Sequence, residues 1–180
     1  MLAVVPSQES RTLDALLTVF LVSYRIRYVM HWLDLKVPPA IVAAVVAAGM
    51  WLVSYTLPAF TYRPMLVATV GLGLIGFAII GWAMLSFLEA QTTVNPMKPS
   101  SASVLVTSGA YGHTRNPMYF GMFLILVGWA LFLANIVTFL VLPAFILYMN
   151  QFQIKPEERA LTARFGRQYL EYMSQVHRWI

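Results

Sequence analysis

Residues 64–88 form a run without a single charged side chain, and no other feature limits so sharply what this chain can fold into. A helix that crosses a bilayer core needs about 20 apolar residues, and a longer run crosses with tilt. In hydrocarbon each backbone N–H and C=O must be paired within the segment, so the run is read as an α-helix. Residues 41–55 are also uncharged, bounded by Pro38-Pro39 and Pro58, with Trp51 and Tyr55 near the far end where aromatic rings favour the interface. Two further runs, about 117–134 and 136–154, are separated only by Asn135, which demands a tight helical hairpin. Pro143 is expected to kink the second of them. With 11% charged residues against about 25% in a soluble domain, composition agrees.

The reading is therefore an all-α integral membrane protein with four transmembrane helices, the last two a tight hairpin. Residues 13–22 are too short an apolar run to cross, are closed by Arg25 and Arg27, and are read as an N-terminal interfacial helix. A cleaved leader would want a basic start, which residues 1–10 lack. Two units follow: an interfacial segment, 1–33, and a membrane domain, 34–180. Gly71-Leu72-Gly73-Leu74-Ile75-Gly76 matches a dinucleotide-binding pattern, but it lies inside one hydrocarbon-length run instead of between a strand and a helix. Close approach of helices is the better account of those glycines.

Several chemistries are excluded early. There is no cysteine, and His31, His113 and His177 lie far apart, so no metal site is expected. The net charge of +5 flanks apolar spans and suits anionic lipid headgroups better than nucleic acid. Polar chemistry gathers instead in residues 109–119. There His113, Thr114, Arg115 and Asn116 stand immediately before Pro117, a residue suited to the first turn of a helix. The unpaired N–H groups and dipole of such a helix mouth favour an anion. The preceding stretch, 89–107, carries Asn95-Pro96 and Lys98-Pro99 and is read as a loop outside the hydrocarbon.

Lys155-Pro156-Glu157-Glu158 reads as a second helix start, with carboxylates where the dipole favours them. Beyond it Leu161, Phe165, Tyr169, Tyr172 and Val176 recur at helical spacing, which predicts a C-terminal amphipathic helix with a break at Gly166. In the four-span arrangement eleven of the twelve Lys and Arg residues share one side and Arg63 alone faces the other. By the positive-inside rule that side, with both termini, is cytoplasmic.

Taken together, Thr107-Ser108-Gly109-Ala110-Tyr111, Arg115-Asn116-Pro117-Met118-Tyr119-Phe120-Gly121, Glu157-Glu158-Arg159-Ala160-Leu161 and Phe165-Gly166-Arg167-Gln168-Tyr169 resemble the isoprenylcysteine carboxyl methyltransferase and phospholipid methyltransferase family. The resemblance runs from about Asp34 to the end. It implies an integral membrane enzyme that binds S-adenosylmethionine in a cytosolic-side pocket and methylates a carboxylate or another small lipophilic acceptor. Carried over by residue, it implies Arg115 and Tyr119 as catalytic, and Tyr111, His113, Arg115, Asn116, Tyr119, Glu157 and Glu158 as cofactor-binding. Asn116 stands where methyltransferases of prenylated proteins have His.

Chemistry is consistent with this. Methyl transfer from a sulfonium to a carboxylate needs positioning and water exclusion more than acid or base help. Arg115 suits a carboxylate, Glu157 or Glu158 an ammonium or ribose hydroxyls, and Tyr119 or Tyr111 a sulfonium. Two other readings stay open: a non-catalytic membrane protein that anchors lipid headgroups, and a membrane reductase using a nicotinamide cofactor.

Overall fold

A computed structural model describes residues 33–91, 99 and 103–180. The expected N-terminal interfacial helix and most of the loop 89–107 lie outside the described residues. Helix α1 is Pro39–Thr56 and α2 is Leu66–Glu89. Helix α3 is Pro117–Leu133, followed by a 3₁₀ turn, Ile136–Val141. The chain then runs through α4, Leu142–Tyr148, a π-helical stretch, Met149–Ile154, and α5, Lys155–Phe165, to α6, Arg167–Gln175. Among the described residues there is no strand, only an isolated antiparallel bridge between Thr61 and Asn135.

Among the described residues, three helical stretches are long and apolar enough to cross a membrane: Pro39–Thr56, Leu66–Glu89 and the continuous run Ile136–Phe165. Pro117–Leu133 is shorter, at 17 residues, or about 25 Å of rise. Large apolar side chains point outward along these helices, with Val67 91% and Leu140 77% exposed. In water such a surface would be a liability, whereas in hydrocarbon it costs nothing.

Hydrogen bonds tie the helices together at two opposite ends. At one, Asn135 is fully buried; its Nδ2 donates to the Leu57 carbonyl at 2.8 Å, and its Oδ1 accepts from the Val137 N–H at 2.9 Å. The hairpin turns there because Ala134 adopts a left-handed conformation, φ 52°, and its carbonyl accepts from the Tyr62 N–H. At the other end Leu35 N–H donates to the Phe152 carbonyl, Gln153 Nε2 to the Val37 carbonyl, and Arg159 pairs with Asp34. Between the ends a core of Val42, Met50, Leu126, Phe145 and Met149 joins α1, α3 and α4.

Both prolines of the last long helix stand where its winding changes. Pro143 lies in the first turn of α4, where 3₁₀ gives way to α. Pro156 lies in the first turn of α5, as expected, but that turn follows π-helical winding without a break. Ile154 and Lys155 both have helical dihedrals, so the backbone passes straight through. A proline inside an α-helix lacks a donor and strikes the carbonyl four residues back; the wider π-helical turns that lead into Pro156 supply a different bonding register just before it. Glu157 and Glu158 are thus mid-helix residues, and answering the dipole of a free helix start no longer explains them.

Helix α2 lies mainly along α3. A Cβ added to Gly76 or to Gly121 would sit 2.6 Å from the other residue's carbonyl oxygen, so the backbones touch there. Of the motif glycines, Gly76 makes this contact while a Cβ on Gly71 or Gly73 meets nothing within 4 Å. Gly121→Ala is therefore expected to destabilise by about 1–3 kcal/mol, lowering the thermal midpoint in detergent by roughly 2–10 °C. Gly71→Ala, measured alongside, should leave it unchanged or slightly raised; equal midpoints for both variants would refute the close crossing.

Candidate active site

The polar stretch before α3 is held against the end of α2. Gly109 takes φ +60° at the start of a 3₁₀ turn, Gly109–Gly112, and a Cβ there would collide with the Ser86 hydroxyl. The Tyr111 ring meets Phe87 edge-on at 5.2 Å, and its carbonyl accepts from the Tyr172 hydroxyl at 2.7 Å. His113 turns to the α2 side, with its ring 5.4 Å from Trp82 and its Nδ1 3.3 Å from the Gly109 carbonyl. It is exposed and stands apart from the charged cluster described next.

That cluster forms where α3 begins and α5 passes it. Arg115 Nη2 donates to Glu158 Oε1 at 3.0 Å, and Nη1 donates to the Met173 carbonyl at 3.0 Å. Arg178 grips the same carboxylate with a fork, Nε to Oε1 at 3.0 Å and Nη2 to Oε2 at 2.6 Å. One residue earlier and on a different bearing of the helix, Glu157 Oε1 accepts from the Tyr119 hydroxyl. The side chains of Arg115 and Glu158 are only 12% and 15% exposed. At such burial, charge-assisted bonds are stronger and a lost partner is costly.

The last residues of the chain complete the wall. The His177 carbonyl accepts from the Arg115 N–H at 2.9 Å, and the Arg178 carbonyl accepts from Asn116 Nδ2 at 2.8 Å and Thr114 Oγ1 at 3.2 Å. The Asn116 amide N–H groups thus serve the C-terminal segment. Tyr169 and Tyr172 are the buried positions of α6, while Arg167 and Glu171 stand in solvent as an i,i+4 pair. Burial, reinforced by the charge of Glu157, pushes the Tyr111 phenol up, and burial first of all does the same for Tyr169 and Tyr172. These phenols stay neutral and act as hydroxyl donors, not as bases.

Residues 64–168 match the phospholipid methyltransferase family. The chain belongs to that family. A protein of Haemophilus influenzae described as uncharacterized is 44% identical over 63 residues, which is 35% of this chain and all of that relative. Methyl transfer is therefore the chemistry of this membrane chain, and phospholipid methyltransferases generally draw the methyl group from S-adenosylmethionine. The family match contains α2, the 109–119 stretch, the hairpin and both carboxylates of α5. It leaves out α1 and residues 177–179, the segment that supplies Arg178.

Residues suited to the zwitterionic end of such a donor are present. Arg115 Nε–H is a buried donor with no hydrogen-bond partner among the described residues, while both terminal nitrogens of the same guanidinium are engaged. An orphaned buried donor on a fixed cation is one that an anionic acceptor could satisfy. Glu157 is held by the Tyr119 hydroxyl and, among the described residues, by no arginine, so it is the carboxylate that could take a cation. Arg115, Tyr119, Glu157 and Glu158 are thus brought together, Tyr111 and Asn116 support the wall, and His113 faces elsewhere. Arg178 belongs to the cluster although spacing had not singled it out, and Tyr172, expected only as a position of the amphipathic helix, joins it through the Tyr111 carbonyl.

Proposed function

We propose that this chain transfers a methyl group from S-adenosylmethionine to a lipophilic acceptor, a carboxylate of the isoprenylcysteine kind or a similarly small group, at the cytoplasmic face of a membrane. The observation that carries the reading is the Arg115 guanidinium, fixed on two sides and unpartnered at its buried Nε, beside the Tyr119–Glu157 pair. In this reading four helices cross. Pro117–Leu133 joins the three longer ones because Asn116 and Asn135, at its two ends, each meet partners of the corresponding end of the bundle. Lys36, Arg115, Lys155, Arg159, Arg164, Arg167 and Arg178 cluster at the site end and Arg63 at the other, which supports the cytoplasmic assignment.

Arg115 binds the donor's carboxylate through Nε, and Glu157 with the Tyr119 hydroxyl binds its ammonium. Bound there, S-adenosylmethionine supplies an electrophilic methyl group on a sulfonium. The rings of Tyr111 and Tyr119 offer negative faces to that cation. The C-terminal segment, laid across residues 114–116, keeps water from the site. The acceptor approaches from lipid: an apolar cavity of about 440 Å³ opens between α1, α2 and α3, lined by Ala43, Ala47, Gly73, Leu126 and Trp129, with Met122 one turn from Tyr119. An apolar tail fits such walls, and the acceptor's own nucleophile meets the methyl group without a metal or thiol being required of the protein.

Calorimetry on detergent-purified protein provides the test. S-adenosylmethionine and S-adenosylhomocysteine are each expected to bind at one site per chain, whereas reduced nicotinamide and phospholipid vesicles without donor give no saturable heat. Folded protein that ignores both adenosyl ligands would leave a lipid anchor, and binding of reduced nicotinamide alone would indicate the reductase.

A further inference from the structure

The carboxylate of Glu158 lies between two guanidiniums that hold it differently. Arg178 takes both oxygens in a side-on fork, and Arg115 reaches Oε1 with one terminal nitrogen only. An arginine and a carboxylate left to themselves favour two parallel bonds. If Arg178 released it, Glu158 would be free to turn and take Arg115 as a full fork through Nη2 and Nε. That would engage Nε, the one guanidinium nitrogen of Arg115 without a partner among the described residues. The main chain around Arg178 is fastened to the same place: the carbonyls of His177 and Arg178 receive Arg115, Thr114 and Asn116, and Trp179 Nε1 donates to Asn150 Oδ1 at 3.1 Å. An ordinary surface ion pair has no such anchorage and contributes little.

We infer that Arg178 is a positioning residue of the donor site: by occupying both oxygens of Glu158 it keeps Arg115 Nε free for the donor's carboxylate and fastens the C-terminal segment over the site. The inference deepens the proposed methyl transfer and rests on it for the identity of the anion.

The test compares the parent with Arg178→Lys, Arg178→Gln, Glu158→Gln and the double variant, by calorimetric titration with S-adenosylmethionine and by hydrogen exchange at the Arg115 amide, which His177 covers. Arg178→Gln should weaken donor binding about tenfold and speed exchange at Arg115, with its thermal midpoint near that of the parent. Arg178→Lys, which keeps the charge and loses the fork, should fall between the two. Because Arg178 acts through Glu158, the double variant should bind no more weakly than Glu158→Gln alone. Parent-like binding by Arg178→Gln, or penalties that simply add in the double variant, would overturn the inference. A parent that binds no donor defeats the proposed function instead; Arg115 protection unchanged in Arg178→Gln then defeats the positioning role independently.

Discussion

Arg115→Lys is expected to weaken S-adenosylmethionine binding about ten- to a hundredfold although the charge is kept. The three guanidinium nitrogens are placed separately: Nη1 donates to the Met173 carbonyl, Nη2 donates to Glu158, and the buried Nε has no partner among the described residues. A lysine ammonium is a single tip on a flexible stem and cannot occupy all three positions. Losing the one hydrogen bond to the donor's carboxylate, at roughly 1.5–3 kcal/mol, corresponds to about one to two powers of ten in affinity. Isothermal titration beside the parent measures this directly. Affinity within about threefold of the parent would mean that Arg115 is a lipid anchor and that the anion site lies elsewhere.

The second large effect is one of stability at the far end of the bundle. Asn135→Leu keeps the branched shape but leaves the Leu57 carbonyl and the Val137 N–H without their side-chain partners at a fully buried joint. Each unsatisfied group costs about 1–3 kcal/mol, so the thermal midpoint in detergent should fall by roughly 5–15 °C. Donor affinity of the folded fraction should not change, since Asn135 belongs to the end opposite Arg115. A midpoint within about 2 °C of the parent would show that the hairpin is secured by packing alone.

The contrast between these residues shows what could be read beforehand. Asn135 was legible because a lone polar residue between two apolar runs leaves few alternatives to a turn. The union of Arg115 with Glu158 was legible because a hairpin of that length returns the chain to its starting face. The division of labour between Glu157 and Glu158 was not. Neighbouring helical positions differ by about 100° around the axis, and only the packing of α5 against the start of α3 decides which carboxylate meets Tyr119 and which meets the arginines. Arg178 was hidden for a related reason: it follows a solvated helix, and nothing in its spacing links it to a carboxylate 20 positions earlier. Pro156 marked the start of α5 correctly, but the π-helical approach to it leaves no mark in residue type.

That π-helical stretch, Met149–Ile154, makes the site depend on arithmetic as well as on chemistry. A wider turn holds more residues per revolution, so everything after it is rotated relative to α4 by the accumulated difference. Were the segment shortened by a single residue so that ordinary α winding continued, Glu157 and Glu158 would arrive at Arg115 and Tyr119 out of phase, with every side chain of the site still present. Exchanges of one residue for another between 149 and 154 leave the phase intact, while one insertion or deletion does not. In this family member the catalytic face is encoded partly as a length.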